Sequence, residues 1–438
     1  MNKNTPIPAD IVDEALAKCK IENVAAASIR EIVKLVGLIE QASGKRFIRM
    51  EMGVPGLPAS DVGVEAEIEA LRSGVASVYP SIEGIPPLKQ EASRFLQSFL
   101  NVKLSPQGCV PTVGSMQGGL AVFMTLSRAD ARKTTTLFID PGFPVQKQQH
   151  KILGIPFESF DVYEFRGEKL RAKLESYLSK GNISSILYSS PNNPSWICFT
   201  PRELQIIAEV ADKYDAVVIE DQAYFGMDFR TDYSRPGTHP FPPSVAHYTD
   251  RYILLFSASK IFSYAGQRIG FLGVSDALYH RSYPDLKRNF ASAELGHAMV
   301  YGALYGISSG TTHSSQYALA AMLKAANDGN LNFVESVSSY GEKAAVMKKL
   351  FLKYGFHVVY DRDEDLPLAD GFYFTIAYPG LSGGELLREL LYYGISAISL
   401  DITGSERTEG LRACVSFAQP EQFPEMEERL ARFRADHP

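Results

Sequence analysis

A single lysine stands behind two serines at the end of a largely apolar stretch, and an arginine follows it. Residues 257–260 read Ser-Ala-Ser-Lys, the apolar stretch covers residues 252–256, and Arg268 comes eight positions after Lys260. A lysine amine can bond to a carbonyl carbon and move a proton, and a planar guanidinium binds phosphate or carboxylate through paired hydrogen bonds. A buried strand that ends in an ordinary polar loop also explains the same residues. Other motifs in the chain are needed to distinguish a reactive site from such a loop.

A glycine-rich turn lies upstream, at residues 113–120, with the sequence Val-Gly-Ser-Met-Gln-Gly-Gly-Leu. It follows a short strand pattern and opens a helical one. Small residues at such a position let backbone N–H groups approach an anion at the positive end of the helix, so a phosphate fits there. A tight turn whose glycines only pack the helix is the alternative, and the turn does not match the dinucleotide-binding fingerprint.

Two further strand patterns end in polar residues. Residues 189–196 read Ser-Ser-Pro-Asn-Asn-Pro-Ser-Trp, and residues 219–226 read Ile-Glu-Asp-Gln-Ala-Tyr-Phe-Gly. Asp221 comes directly after an apolar run, where an unpaired carboxylate is costly to bury, so it needs a partner that favours its negative charge. Taken alone, each stretch is also explained by turn formation or helix capping.

The composition is that of a soluble enzyme-sized protein with two or three packed units. The 438 residues carry a net charge of −6, with no basic block to indicate nucleic-acid binding and no apolar run of membrane-spanning length. The four cysteines, Cys19, Cys109, Cys198 and Cys414, lie far apart, which indicates neither a disulfide framework nor a zinc site, and no metal is expected. Residues 1–10 lack the apolar segment of a signal peptide, so a cytoplasmic location is predicted.

Short apolar runs alternate with amphipathic helical patterns in the middle of the chain, which indicates an α/β fold with a mostly parallel sheet. In such a sheet ligands bind at the carboxyl ends of the strands. The runs are residues 136–139, 185–188, 216–219 and 252–256, and a helical pattern covers residues 201–213.

Beyond residue 324 the pattern changes to a long helix, over residues 334–354, followed by strands, which indicates a smaller α+β domain. The strands are expected at residues 356–360, 371–376 and 411–417. The predicted organisation is an N-terminal segment packing with the small domain (1–60), a large cofactor-binding domain (61–325) and the small C-terminal domain (326–438).

In their order along the chain, these motifs resemble the class I/II aminotransferases of the fold-type I pyridoxal-phosphate-dependent enzymes. The resemblance covers residues 53–412. It implies the aspartate-aminotransferase-like fold, with a mostly parallel sheet in a large domain and a smaller α+β domain. It also implies pyridoxal 5'-phosphate as the cofactor and transfer of an amino group between an L-amino acid and a 2-oxo acid.

The resemblance further implies roles for individual residues. Lys260 would bond to the cofactor aldehyde and act with Asp221, at the pyridine nitrogen, and Tyr224 in catalysis. The contacts to the rest of the cofactor would come from Tyr224 and Asn193 at the ring oxygen, Phe143 stacked on the ring, and Ser115, Met116, Ser257 and Arg268 at the phosphate. Arg412 would bind the substrate α-carboxylate, with Gly53 and Asn193 beside it.

Each of these residue types suits its implied role. A carboxylate at the ring nitrogen keeps that nitrogen protonated, so that the ring accepts the electrons left when the α-proton is removed. A lysine amine can then move the proton, and an arginine binds each anion bidentately.

Residues 79–88 resemble the Tyr-x-x-x-x-Gly-x-x-x-Leu segment of the same family. The resemblance implies that Tyr79 reaches the phosphate of the neighbouring subunit's cofactor. A homodimer with shared active sites, binding an amino acid and a 2-oxo acid but neither nucleic acid nor membrane, is therefore expected.

Two departures from the family pattern bear on the substrate. Trp196 stands where the family commonly has glycine, and residues 289–322 contain no Arg or Lys, whereas dicarboxylate-specific members place a second arginine in that region. Because Tyr301 and Tyr305 lie there instead, neutral or aromatic amino acids are expected to be favoured over aspartate. A cation from another loop would instead give an aspartate or dicarboxylate aminotransferase.

Two other functions were considered for a protein with the same resemblance. A β-eliminating C–S lyase or a synthase would share the cofactor ligands and differ only in the fate of the carbanion, which these motifs do not distinguish. A non-enzymatic cofactor-binding regulator would need an added DNA-binding domain, and residues 1–53 are too short for one and are not basic.

Overall fold

The computed structural model describes residues 5–438, so the first four residues of the predicted N-terminal segment lie outside the described part. The strands in chain order are β1 (Ile48–Arg49), β2 (Cys109–Thr112), β3 (Thr135–Asp140), β4 (Phe157–Asp161), β5 (Ile183–Ser189), β6 (Val217–Asp221), β7 (Tyr252–Ser257), β8 (Gly270–Val274), β9 (His357–Val358), β10 (Arg362–Asp363), β11 (Leu366–Pro367), β12 (Tyr373–Ala377), β13 (Ile395–Ser396), β14 (Ile398–Ser399) and β15 (Leu411–Cys414).

The α-helices are numbered in the same way. They are α1 (Ala9–Cys19), α2 (Ile29–Ser43), α3 (Asp61–Arg72), α4 (Pro86–Leu100), α5 (Gly114–Leu126), α6 (Pro144–Leu153), α7 (Lys169–Leu178), α8 (Pro201–Lys213), α9 (Ala258–Ile261), α10 (Asp276–Tyr279), α11 (Leu295–His297), α12 (Tyr305–Ser308), α13 (His313–Asn327), α14 (Ser339–Lys353), α15 (Gly383–Tyr392) and α16 (Phe423–Asp436). A short π-helix, Ala298–Leu304, joins α11 to α12.

The chain divides into two compact units. The large unit comprises Leu57–Pro191 and Cys198–Val337, and the small unit comprises the described residues up to Gly56, Asn192–Ile197 and Ser338–Pro438. The sequence predicts domain boundaries after residues 60 and 325. These boundaries stay a prediction, because the compactness of the two units does not test whether each folds as a domain.

The large unit is built on a seven-stranded sheet with the order β2-β8-β7-β6-β5-β3-β4. Strands β7, β6, β5, β3 and β4 are parallel neighbours, and β8 runs antiparallel to β2 and to β7. Every residue of β5, β6 and β7 is buried, which explains the apolar runs at residues 186–188, 217–219 and 252–256 within them. The α/β fold class predicted from the sequence is confirmed.

Helix α8 shows how local sequence sets the ends of these elements. Pro201 occupies its first turn, and Thr200 and Glu203 form a reciprocal capping box in which each side chain accepts a hydrogen bond from the other's backbone N–H. The apolar face of the helix, which includes Leu204 and Ile207, is fully buried, and α8 packs beside β6. The helix predicted over residues 201–213 is observed with the same bounds.

The small unit contains a four-stranded antiparallel sheet with the order β14-β15-β12-β9 and a parallel pair, β1 and β13. The N-terminal chain packs with it, since Ile7 N donates to the carbonyl oxygen of Tyr392 at 3.0 Å. Helix α14 begins at Ser339, later than expected, because Glu335–Val337 forms a 3₁₀ turn capped by the side chain of Asn332.

Strand β9 is also shorter than expected. The strand predicted over residues 356–360 pairs with β12 only at His357 and Val358. Beyond them, the backbone N–H of Tyr360 donates to the hydroxyl of Thr375 at 3.0 Å instead of to a backbone carbonyl. A side-chain acceptor therefore ends the regular ladder early.

No helix in residues 5–438 combines the length and hydropathy needed to cross a membrane. Within the same residues, no three His, Cys, Asp or Glu side chains are grouped as metal ligands. None of the four cysteines of the described residues forms a disulfide bond, and Cys109 and Cys414 are buried.

Candidate active site

The carboxyl edge of the large-unit sheet gathers most of the predicted cofactor residues. Strands β6 and β7 are parallel neighbours that end at Asp221 and Ser257, and Leu255 pairs with Asp221. Because the ends of parallel strands lie at one edge, Asp221 and the segment that carries Lys260 are neighbours there. Strand β2 ends at the same edge, since Thr112 and Ser257 both pair with Gly270 of β8.

Asp221 is a buried carboxylate with two hydrogen-bond donors. Its side chain accepts from Gln146 Nε2 at 2.9 Å and from the backbone N–H of Ala223 at 3.1 Å, and it is 6% exposed. Burial raises the pKa of this carboxyl to about 6, against the opposing effect of the two donors. Within residues 5–438 no cation pairs with it, so the site lacks the positive partner that a buried carboxylate requires.

Lys260 lies in α9, a single helical turn that starts directly after β7. Ser257 caps that turn, because its hydroxyl accepts a hydrogen bond from the backbone N–H of Ser259 at 3.2 Å. Ser257 and Ser259 are buried, whereas Lys260 is half-buried. The end of the strand thus fixes the backbone on which the amine of Lys260 is carried.

The glycine turn and Arg268 form a cradle for an anion. Gly114 begins α5 with a φ of 64°, which favours glycine, and a β-carbon placed on it would lie 2.8 Å from Arg268 Nη2 and displace the guanidinium. Arg268 itself has a φ of 51° and donates to the hydroxyl of Ser259 at 3.3 Å. Ser115 and Met116 follow Gly114 in the first turn of α5, where free N–H groups and the helix dipole favour a negative charge.

Two aromatic residues predicted at the cofactor ring also lie in the large unit. Phe143 precedes α6, is partly exposed and forms no aromatic contact among residues 5–438. Tyr224 is buried in the turn after β6, where its carbonyl accepts from the backbone N–H of Met227 at 3.1 Å. Helix α6 also carries Gln146, the donor to Asp221.

Tyr79 is not brought into hydrogen-bond contact with these residues within the chain. Its side chain is 89% exposed and forms no hydrogen bond in the described chain. It lines a surface cavity of about 760 Å³ together with Val113, the residue that precedes α5, and exposed Val78. The tyrosine therefore stands beside the glycine turn with its hydroxyl directed at no group of its own chain.

The predicted substrate residues Arg412, Asn193 and Gly53 lie together in the small unit. Arg412 is in β15 and is 2% exposed. Its Nη2 donates to the backbone carbonyl of Glu51 at 2.6 Å, and its Nη1 donates to Asn193 Oδ1 at 3.3 Å. No carboxylate of residues 5–438 pairs with the guanidinium, and its Nε is buried without a hydrogen-bond partner there.

The ring of Tyr373 covers the guanidinium of Arg412. The ring centroid lies 4.8 Å from Cζ of Arg412, within the range of a cation–π contact. Thr375 pairs with Arg412 across β12 and β15, so Tyr373, two residues along β12, lies on the same face of the sheet. Gly53 leaves space for this ring, since a β-carbon there would lie 2.0 Å from the Tyr373 hydroxyl oxygen.

Two residues of this arrangement, Gln146 and Tyr373, were not predicted from the sequence. Gln146 stands three residues after Phe143, and Tyr373 lies in a predicted strand. A glutamine in an amphipathic helix and a tyrosine in a strand carry no local signal of a functional contact. The contact between Tyr373 and Arg412 follows from the register of β12 and β15, and the sequence alone does not give that pairing.

The mostly parallel sheet, the lysine after β7 and the carboxylate at the end of the neighbouring strand β6 define the fold-type I class of pyridoxal-phosphate-dependent enzymes. The chain belongs to the family named aminotransferase class I and II, whose model matches residues 46–430.

Individual proteins of known sequence or structure show the same relationship. The chain is 26% identical to the probable aspartate aminotransferase of Methanocaldococcus jannaschii, over 60% of this chain and 64% of the relative. It is 26% identical to an S-alkyl-thiohydroximate lyase of Arabidopsis thaliana, over 53% of this chain and 49% of the relative. It therefore spans less than two thirds of the length of these curated relatives. The alanine aminotransferase of Pyrococcus furiosus has the same fold, with a TM-score of 0.75 and 19% identity over 96% of this chain and 99% of that one.

Enzymes of this family use pyridoxal phosphate, and the residues present fit that group. Asp221 is a buried carboxylate without a cationic partner among the described residues, which suits a protonated pyridine nitrogen. Arg268 and the start of α5 form the cradle beside Gly114, which suits a phosphate.

Proposed function

We propose that this protein is a pyridoxal-phosphate-dependent aminotransferase that moves an amino group between an L-amino acid and a 2-oxo acid. The observation that carries the proposal is the buried guanidinium of Arg412, which has no acidic partner among residues 5–438. A cation held in this way has a large desolvation cost, which an anionic ligand offsets. The α-carboxylate common to amino acids and 2-oxo acids is such a ligand.

The large-unit residues would hold the cofactor. Lys260 would bond to its aldehyde, Asp221 would hold the proton of its ring nitrogen, and Arg268 with Ser257 would bind its phosphate. The remaining proposed contacts come from Ser115, Met116, Phe143 and Tyr224 of the same unit, from Asn193 of the small unit and from Tyr79 of the partner subunit. When bound, the cofactor supplies the electron sink for removal of the substrate's α-proton.

Different residues of the chain are proposed to bind the substrate, to move the proton and to contact the cofactor ring. Arg412 binds and orients the α-carboxylate, with Asn193 and Gly53 beside it. The Nζ of Lys260 would accept the substrate's α-proton as a general base and donate it again as a general acid while the amino group is moved. Tyr224 is proposed to act with Asp221 by donating a hydrogen bond at the cofactor ring.

We further propose that neutral or aromatic amino acids are preferred over aspartate. Residues 289–322 contain no Arg or Lys, and Tyr301 and Tyr305 are 42% and 54% exposed in that region. Tyr301 donates to the carboxylate of Glu83, which adds a negative group and disfavours an acidic side chain nearby. The cytoplasmic location predicted from the sequence stays a prediction.

The substrate proposal predicts the order of specificity constants. Against one 2-oxo acid acceptor, phenylalanine and leucine are expected to exceed aspartate and glutamate in kcat/KM by about tenfold or more, because a side-chain carboxylate would enter without a fixed cation. Alanine serves as the small neutral control. An advantage for aspartate would contradict the preference and leave the aminotransferase proposal intact.

A β-eliminating C–S lyase is the second candidate function, since one relative is named an S-alkyl-thiohydroximate lyase. The two activities differ in the fate of the substrate. An aminotransferase forms a 2-oxo acid in multiple turnovers only when an acceptor 2-oxo acid is present, whereas a β-eliminating lyase releases a thiol, ammonia and a 2-oxo acid without one. Measuring 2-oxo acid from cysteine conjugates and from phenylalanine, with and without acceptor, separates them.

We also propose a homodimer in which Tyr79 serves the neighbouring subunit. Its 89% exposure and the adjoining cavity beside Val113 support a role outside its own chain. Tyr79→Ala and Lys260→Ala chains are each expected to be inactive alone. After subunit exchange, activity should return to about a quarter of the wild-type level, because half of the dimers are mixed and each of those has one intact site.

A control for the subunit mixing is available in the same unit. Tyr248→Ala removes another exposed tyrosine, 38% exposed, and is expected to leave activity unchanged. If mixing restores no activity although mass spectrometry verifies the mixed dimers, Tyr79 acts within its own chain and the shared-site proposal fails.

A further inference from the structure

Trp196 holds a backbone conformation that tryptophan rarely adopts. Its φ is 66°, in the left-handed region, which costs a residue with a β-carbon about 1–2 kcal/mol relative to the ordinary helical region. Its side chain is nevertheless completely buried. A large side chain kept at a strained position that glycine would occupy at no cost points to a role for the side chain itself.

The turn around Trp196 is fixed by its own hydrogen bonds. Asn192 N donates to the carbonyl of Ile197, and Trp196 N donates to the carbonyl of Asn192, both at 2.9 Å. The side-chain oxygen of Asn192 also accepts from the backbone N–H of Ser195 at 3.0 Å and from its hydroxyl at 2.7 Å. The backbone therefore has little freedom, and the direction of the indole is set by the turn.

The indole packs against Gly371, which lies just before β12, and against Tyr373, the first residue of β12. A β-carbon on Gly371 would lie 2.1–2.2 Å from three atoms of the indole, so the tryptophan occupies the space that any other residue at position 371 would need. Its ring also meets that of Tyr373 edge to face, with centroids 6.1 Å apart at 67°. Because Trp196 has no exposed surface, it does not line the mouth of the site, and its ring contact with Tyr373 gives it a route to a ligand.

Tyr373 is the ring that covers Arg412, 4.8 Å from Cζ. The turn of residues 192–197 therefore reaches Arg412 by two routes. Asn193 accepts directly from Nη1, and Trp196 packs on the tyrosine above the guanidinium. Resting on the proposed function of Arg412 as the carboxylate site, we infer that Trp196 is a positioning residue that fixes Tyr373 over Arg412 and so sets the affinity for the substrate carboxylate.

The physical reason is the small number of groups that compensate the buried guanidinium. Its charge is balanced by one backbone carbonyl, one amide oxygen and the π-face of Tyr373. A desolvated cation–π contact is worth about 2 kcal/mol, and it depends on the ring staying over the cation. If the indole moves, Tyr373 gains freedom to turn, and the guanidinium loses both its cover and its fixed direction towards the ligand.

The experiment measures carboxylate binding without turnover. Propionate has a carboxylate but no amino group to react, and propionamide is its uncharged counterpart. Both are titrated calorimetrically into the cofactor-loaded wild type and into Gly371→Ala, Trp196→Phe and Trp196→Gly. Trp196 is the only tryptophan in the chain, so the fluorescence emission of Gly371→Ala reports directly on whether the added methyl group has moved the indole.

We expect Gly371→Ala and Trp196→Gly to weaken propionate binding by about tenfold, and Trp196→Phe, which keeps a ring against Tyr373, by about threefold. The emission of Gly371→Ala should shift to longer wavelength. For the preferred amino acid, KM should rise by a similar factor while kcat stays within about twofold, because binding and not chemistry is changed. Propionamide should bind none of the proteins measurably.

Phe356→Leu is the matched control for lost stability. It truncates a buried ring of the small unit whose aromatic neighbours are Phe351, Tyr378 and Phe433, and none of these contacts Arg412. It should lower the melting temperature as the Trp196 variants do and leave propionate binding unchanged. If it weakens propionate binding as much as they do, general destabilisation explains the effect and the inference fails.

Arg412→Lys separates this inference from the proposed function. If propionate binds that variant as tightly as it binds the wild type, the assignment of Arg412 itself fails. If Arg412→Lys loses binding but Gly371→Ala shifts the emission and still binds propionate within about twofold of the wild type, Arg412 stands and the role of Trp196 is overturned. The Gly371 variant keeps the test valid even where a Trp196 variant does not fold.

Discussion

Lys260→Ala is expected to lower turnover by about 10⁴-fold or more, the largest effect of any single substitution in this protein. The variant loses the group that would bond to the cofactor and also the base that would move the α-proton. No other residue can replace it at this place, because Ser257 and Ser259 on the same short segment carry hydroxyls. The fold should be retained, since Lys260 is half-buried and its helix is a single turn.

The measurement that checks this is covalent labelling. Borohydride treatment of the cofactor-loaded wild type should fix the cofactor to the peptide that contains Lys260, and the label should be absent from Lys260→Ala. Lys133→Ala is the matched control, because Lys133 lies before β3 at the opposite edge of the sheet, where its Nζ donates to the carbonyl of Tyr214. A label that persists in Lys260→Ala, for example on Lys147, would remove the assignment.

The contacts that the sequence predicts well are those that follow from strand ends. Asp221 and the segment before Lys260 each come directly after an apolar run, and parallel strands bring their carboxyl ends to one edge whatever their order. The fold class and the sheet edge therefore follow from the pattern of apolar runs alone. An arginine by itself is common at many surface sites. The roles predicted for Arg268 and Arg412 therefore came from the family resemblance.

The contacts that the sequence does not predict join elements far apart in the chain. Gln146 donates to Asp221 across 75 residues, and Tyr373 covers Arg412 only because β12 and β15 pair in one register. Neither residue type marks a site by itself. Trp196 shows the opposite case, since its departure from the family pattern was visible in the sequence, whereas its complete burial under Gly371 and Tyr373 was not.

Asp221→Asn is expected to lower kcat by about 10³-fold while the protein retains its cofactor. The substitution keeps the size of the side chain and removes the charge, so the ring nitrogen loses the group that would keep it protonated. The phosphate cradle of Gly114 and Arg268 lies on other elements and should still bind the cofactor. The absorbance spectrum and cofactor content of the purified variant, with its turnover of the preferred amino acid, check this expectation.

The neighbouring carboxyl provides the matched control. Glu220 precedes Asp221 on β6 and points to the other face of the sheet, where its Oε2 accepts from the hydroxyl of Ser244 at 2.5 Å. It is fully buried, and burial raises its pKa to about 7. Glu220→Gln removes an equally buried acid from the same strand and should leave kcat within about threefold of the wild type. An equal loss in both variants would mean that the strand itself had been disturbed.

The stability of the cofactor-free protein should change in the opposite direction to its activity. Burial raises the pKa of Asp221 from 3.8 to about 6, so the folded state holds this proton more tightly than the unfolded state does. The free energy of unfolding contributed by this group is therefore highest below pH 4 and falls as the pH rises to about 6. Asparagine does not titrate, so Asp221→Asn should be more stable than the wild type at pH 7, by up to roughly 3 kcal/mol.

Bound cofactor should reduce or reverse that difference in stability, because a protonated ring nitrogen stabilises the carboxylate and not the amide. Denaturant unfolding of the wild type and of Asp221→Asn at pH 4 and pH 7, with and without cofactor, tests both expectations. If the cofactor-free variant is less stable than the wild type at pH 7, Asp221 is a structural acid whose charge the fold itself requires.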